Sequence, residues 1–142
     1  MINERKRVES WRAAFDKEAD KLRRIPFEWG THDCAIGLVA NMTKAITGED
    51  KAKKYRGKYN DSKSAFRLMR KQGFTDLADM AASMLPEIHP SQTQIGDIVA
   101  IKSDTEFKHA LGVVNGERVL VLREDGMGTV DLSEAVRAFR VG

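Results

Sequence analysis

The chain has 142 residues, 42% hydrophobic and 32% charged, with 3 prolines, 11 glycines and a formal net charge of +3. That is the length of one ordinary domain, 1–142, with enough apolar residues to bury a core. The composition excludes a disordered or fibrous chain. The single cysteine excludes a disulfide framework or a cysteine-rich zinc site, and apolar runs such as Val119 to Leu122 fall far short of the roughly 20 residues of a membrane span.

The basic start, Met1 to Arg7, has no apolar stretch behind it, so no secretory signal is expected and the chain reads as soluble and made in the cytoplasm. A first helix is expected from about Asn3 to Arg24, with Val8, Trp11, Phe15, Ala19 and Leu22 on one face and Pro26 beyond its end. A second should begin at Asp33, whose carboxylate can cap the free amides of the first turn, and run to Thr47 before Gly48. Its apolar stripe is Ala35, Leu38, Val39, Met42 and Ile46.

Lys51 to Lys71 carries nine basic residues against one acid, Asp61, with Tyr55 and Tyr59 interleaved. This is the composition of an anion-binding surface or of a solvated connector. No nucleic-acid-binding motif accompanies it, and nucleic acid is not expected as a partner. A third helix is expected over Ser62 to Gln72, and a short fourth from Asp76 to Met84.

The period then changes. Ile95 to Ile101 reads as a strand entered through Gly96-Asp97. His109 to Val114 and Glu117 to Leu122 flank Asn115-Gly116, a hairpin signal. Gly128 to Val130 reads as a further strand, and Leu132 to Phe139 as a terminal helix capped by Asp131. Helices first and an antiparallel sheet second make an α+β pattern.

The inventory of reactive groups is short. No HExxH, CxxC, GxSxG or phosphate-loop motif occurs, so no metal and no cofactor are expected. Cys34 stands out because, if Asp33 caps the helix, the thiol lies where unpaired amides and the helix dipole favour a thiolate and can donate to an oxyanion. His109, at the start of a strand, is the natural base for it.

The order Pro26-Phe27-Glu28-Trp29-Gly30, Asp33-Cys34, Gly96-Asp97 and then His109 before a glycine-containing strand resembles the NlpC-type branch of the papain-like cysteine peptidases. The likeness is greatest to small members found in phages and prophages near tail-assembly genes. It implies an NlpC-type papain-like α+β fold, with a nucleophile helix packed on a small antiparallel sheet. Cys34 would be the nucleophile and His109 the base. Asp33 would hold the helix start, Phe27, Trp29 and Gly30 would shape the substrate groove, and His32 would line its entrance.

Two departures bear on activity. The family usually has a tyrosine where Phe27 stands, and its third catalytic residue is a polar side chain on the strand after the histidine. A two-residue turn at Asn115-Gly116 puts Leu122 opposite His109. Glu124, diagonal to it at roughly 7–8 Å, is then the candidate orienter.

The resemblance implies a thiol hydrolase that cuts a peptide or amide bond in bacterial cell-wall peptide stems. Its substrate would be a peptidoglycan-like peptide, its partners other phage tail proteins, and its place a phage or prophage tail. The alternative is a non-catalytic tail or assembly protein that keeps the papain-like fold.

Overall fold

The computed structural model describes residues 6–142. The expected helical start at Asn3 lies outside them, and α1 spans Trp11–Leu22. The segment before it is held by other contacts. Arg7 donates to the carbonyls of Ile95 and Val141 and pairs with Asp97, and the Val8 amide bonds the Ile46 carbonyl. Val8 is therefore exposed rather than on the helix face, while Phe15, Ala19 and Leu22 are buried as their spacing predicts.

The second helix starts where Asp33 caps it, but its first part is a π-helix, Cys34–Ala40, that continues as α2, Asn41–Thr47. The Asp33 carbonyl accepts from both Gly37 and Leu38, four and five residues on. Such wide turns are rare and recur at functional sites. α3 spans Ser62–Lys71 with Asp61 as cap, and α4 spans Leu77–Ala82 with Asp76 as cap.

The sheet is six-stranded and antiparallel in every pairing, with strand order β1-β6-β2-β3-β4-β5. Its strands are β1 Glu87–Ile88, β2 Ile98–Lys102, β3 His109–Asn115, β4 Arg118–Arg123, β5 Gly126–Asp131 and β6 Ala135–Phe139. The hairpin turns at Gly116-Glu117, one residue later than expected, since Asn115 pairs with Arg118.

The expected terminal helix is instead a single 3₁₀ turn, Leu132–Glu134, capped by Asp131 and followed by β6. Two-residue alternation decides this segment. β6 fills the slot between β1 and β2, with Phe139 joining the core on the helical side of the sheet and Ala138 the cluster on the other. A helix would place these neighbours about 100° apart and could not serve both faces. The main core lies between the helices and the sheet, joining Phe15, Leu22, Leu38, Met42 and Ile46 to Ile98, Val113, Leu120 and Phe139.

Candidate active site

The site grows from the start of the π-helix. The Asp33 carboxylate, buried to 2% exposure, accepts the Ala35 and Ile36 amides on Oδ1 at 3.1 and 2.8 Å. Its Oδ2 accepts the Gly30 amide at 2.9 Å and the Tyr59 hydroxyl at 2.5 Å. Four donors on one carboxylate satisfy it in a place where an unpaired charge would be costly. Burial first, and then the charge of Asp33, push the Tyr59 hydroxyl well above its ordinary value. Tyr59 therefore stays protonated and acts as donor.

Gly30 lies behind the groove and permits this arrangement. Its φ is +89°, and a Cβ there would come within 1.9 Å of the Tyr59 carbonyl oxygen. Only a residue without a side chain admits that approach.

Cys34 is half-buried at the helix start, beside Asp33. Burial pushes its thiol up from 9.0 to about 11, and the Asp33 charge adds to this; backbone hydrogen bonds from Leu111, Ala35 and Cys34 itself oppose it without prevailing. The expectation of a thiolate favoured by the helix start is thereby corrected. Burial outweighs what the amides at the helix start can offer, and Asp33, which shares the Ala35 amide and takes that of Ile36, adds a like charge.

The π-helix that carries Cys34 packs against β3. His109 lies at the start of that strand, on the same face as Leu111 and Val113. Both Cys34 and His109 line one cavity of about 420 Å³, as do Phe27, Trp29 and Asp33. The nucleophile candidate and the base candidate thus face a common space.

The carboxylate at His109 is Asp76, not Glu124. His109 Nδ1 lies 2.8 Å from Asp76 Oδ1, both side chains being mostly buried. Asp76 is pushed up by burial, but hydrogen bonds from His109 and the Ala78 amide, with the charges of His109 and Arg137, bring it below its ordinary value overall. An ionised carboxylate only accepts, so Nδ1–H is the donor, and Nε2 is the nitrogen that can give or take a proton in the cavity.

Asp76 is held firmly. The Ala78 amide donates to its Oδ1 at 2.8 Å as an N-cap bond, and the Leu77 amide bonds the Phe107 carbonyl. Arg137 on β6 ties Asp79 of α4 to Glu87 of β1 at 2.7–2.9 Å. Glu124 is an exposed residue in the β4–β5 turn, at the edge of the same cavity. The strand register carries it past the end of the β3–β4 ladder, which runs from Asn115↔Arg118 to Val113↔Leu120.

His32 does not line the entrance. It is buried to 3% exposure, its Nε2 lies 3.2 Å from the Leu22 carbonyl, and its ring packs where a Cβ on Gly37 would sit. A carbonyl can only accept, so His32 carries its proton on Nε2 and braces the loop against α1 and the π-helix.

Phe27 and Trp29 form one wall of the site, edge to face at 5.1 Å, and Trp29 stacks on Phe107 at 6.0 Å. Residues the sequence reading passed over therefore include Phe107, Tyr59 and Asp76. The aspartate was legible as a helix cap, and Tyr59 only as part of a basic stretch. In that stretch Arg56 braces the chain, bonding Asp50, Asn41 and the Ile36 carbonyl. Lys53, Lys54, Lys58, Lys63, Arg67, Arg70 and Lys71 are solvated. Among the described residues no three His, Cys, Asp or Glu side chains converge as a metal site, and no helix is long and apolar enough to cross a membrane.

The mixed helix and antiparallel-sheet frame is that of an NlpC-type papain-like fold. The structure is similar to the crystal structure of the NlpC/p60 domain of the peptidoglycan hydrolase SagA, with a TM-score of 0.52 and 17% identity over 90% of this chain and 97% of that one. No curated protein matches the sequence significantly. Residues 6–141 match the family described as a domain of unknown function, DUF6950, and the chain belongs to that family.

Proposed function

We propose that the chain is a thiol hydrolase acting on a peptide or amide bond, with Cys34 as nucleophile, His109 as general base and Asp76 as the residue that orients His109. The observation that carries this reading is the Nδ1–Asp76 bond at 2.8 Å, made by a histidine that lines the same cavity as Cys34. It fixes the tautomer in which Nε2 can accept a proton.

With the thiol at about 11, the sulfur rests protonated, and proton removal accompanies attack. His109 takes the thiol proton as the sulfur adds to the carbonyl carbon. The Cys34 backbone amide, at the same helix start, is the donor to the developing oxyanion, a role Phe27 cannot fill. Collapse expels the amine, which takes the proton from His109, and water then releases the acyl group from the thioester. Phe27, Trp29 and Asp33 act around this step, the first two as groove wall and the last as the clamp on the helix start.

The SagA likeness makes cell-wall peptide stems the first substrates to test. In that assay Cys34→Ala should reduce cleavage to background with the far-UV spectrum retained. Cleavage that survives the substitution would refute the mechanism.

One observation favours a second reading, a phage tail or assembly protein that keeps the fold without turnover: the raised thiol pKa, which leaves Cys34 weakly nucleophilic at rest. Under that reading Cys34→Ala leaves particle assembly intact and wild-type protein cuts nothing.

A further inference from the structure

The walls of the cavity beside Cys34 say more than that a substrate binds there. Its volume of about 420 Å³ lies in the roughly 300–1,000 Å³ range of small-molecule sites. Its lining includes Ile36 and Val39 of the π-helix, Leu68 and Met69 of α3, Met80 of α4 and Met84 just beyond it. Methionines on two helices make a wall that adapts to an unbranched apolar occupant.

The cavity follows the helix. Both Cys34 and Thr43, nine residues apart on that helix, line it.

An extended peptide laid along this path would lose water from an amide and a carbonyl at every residue, against walls with almost nothing to bond them. A hydrocarbon chain carries no such groups and gains from leaving water.

We propose that this cavity holds the aliphatic acyl chain of the substrate, so that the bond cut at Cys34 joins a medium-length hydrocarbon acid to its leaving group. The inference rests on the thiol-hydrolase reading and replaces the stem peptide as the acyl side of the substrate. The sulfur adds to the acyl carbon as its proton passes to His109. The bond to the leaving alcohol or amine breaks, and that group takes the proton. Water then cleaves the thioester to the free acid and restores the thiol.

The test is a series of p-nitrophenyl esters, acetate, butyrate, hexanoate and octanoate, on wild-type protein with the Cys34→Ala rate subtracted. It is paired with decanoate binding to Cys34→Ala followed by tryptophan fluorescence, since Trp29 stands on the wall. kcat/KM should climb along the series, by up to about fourfold per methylene. Met80→Lys should lower the octanoate-to-acetate ratio and weaken decanoate binding about tenfold or more. Leu68→Lys, on a different helix, provides the same readout should Met80→Lys fail to fold.

A flat or falling series with Cys34-dependent turnover intact overturns the acyl-chain inference and leaves the hydrolase reading standing, as does cleavage of wall peptides alongside such a series. Saturable decanoate binding that both lysine variants weaken, with no Cys34-dependent turnover of any ester, supports the chain site and refutes the hydrolase. Absence of both binding and chain-length dependence overturns the inference outright.

Discussion

Two aspartates cap two helices at this site, and their surroundings give them opposite work. Asp33 is buried, and both its oxygens are taken by four donors from the loop, the helix start and Tyr59. Asp76 is only partly buried, on the far side of His109 from the cavity, and its Oδ1 serves both its own helix and His109. The same local motif thus yields a clamp in one place and a histidine partner in the other. What separates them is the number of donors that converge on the carboxylate and how much water is left around it. The identity of the residue is shared.

The largest effect that can break this comparison is at Asp76. Asparagine caps a helix about as well as aspartate, so Asp76→Asn should leave the melting temperature nearly unchanged. It should still lower kcat by roughly 10²–10⁴, because an amide does not enforce the Nδ1–H tautomer. A loss confined to stability, with kcat intact, would make Asp76 a cap and nothing more.

Next in size is the reactivity of Cys34, which reports on the Asp33 side. A thiol at about 11 rather than 9.0 should react with iodoacetamide near neutral pH about a hundredfold more slowly than a free cysteine, and the rate should still be rising above pH 9. The sign of the stability effect follows. The folded thiol ionises later than the unfolded one, so its contribution to stability is full below 9.0 and is lost as pH rises towards about 11. Fast alkylation at pH 6 would show that the helix start, and not burial and the Asp33 charge, governs the sulfur.

How much of this was visible in the sequence follows from the range of the forces involved. The Asp33 cap, the Gly96-Asp97 turn, the hairpin and the placing of His109 at a strand start are local, set by a few neighbouring residues, and they read directly. β6 did not, because Asp131 followed by Ala135 to Phe139 satisfies a helix locally. Only its pairing with two strands distant in sequence makes it extended. That strand in turn carries Arg137, which secures α4 and hence Asp76. The partner of His109 lies 33 positions away on a capping residue, a juxtaposition that no spacing rule encodes. Tyr59 was hidden for a related reason, since its lysine-rich neighbours suggest a solvated surface while its own hydroxyl turns inward.

Tyr59→Phe sharpens the comparison with a smaller effect. It removes one of the two donors on Asp33 Oδ2 and leaves the aromatic packing in place. A hydrogen bond to a charged acceptor of this kind contributes about 1.5 kcal/mol or somewhat more, so urea denaturation should show an unfolding free energy lower by that amount, read as a lower midpoint with an unchanged slope. If Asp33 is a clamp, kcat should fall only modestly. A loss as large as that of Asp76→Asn would mean that the clamp and the histidine partner are not separable.

The smallest effect is expected at Glu124, and its smallness is informative. Glu124 borders the cavity from an exposed turn, where solvent screens its charge, and Asp76 already occupies His109 Nδ1. A histidine has one hydrogen to give from that nitrogen, so a second carboxylate could orient the ring only by displacing the first. Glu124→Gln should therefore change kcat by less than about twofold and leave the pH profile in place, because removing a screened charge several ångströms from a reacting group alters its energy by only a few tenths of a kcal/mol. A shift of the acid limb in Glu124→Gln, with Asp76→Asn silent, would transfer the orienting role to the turn.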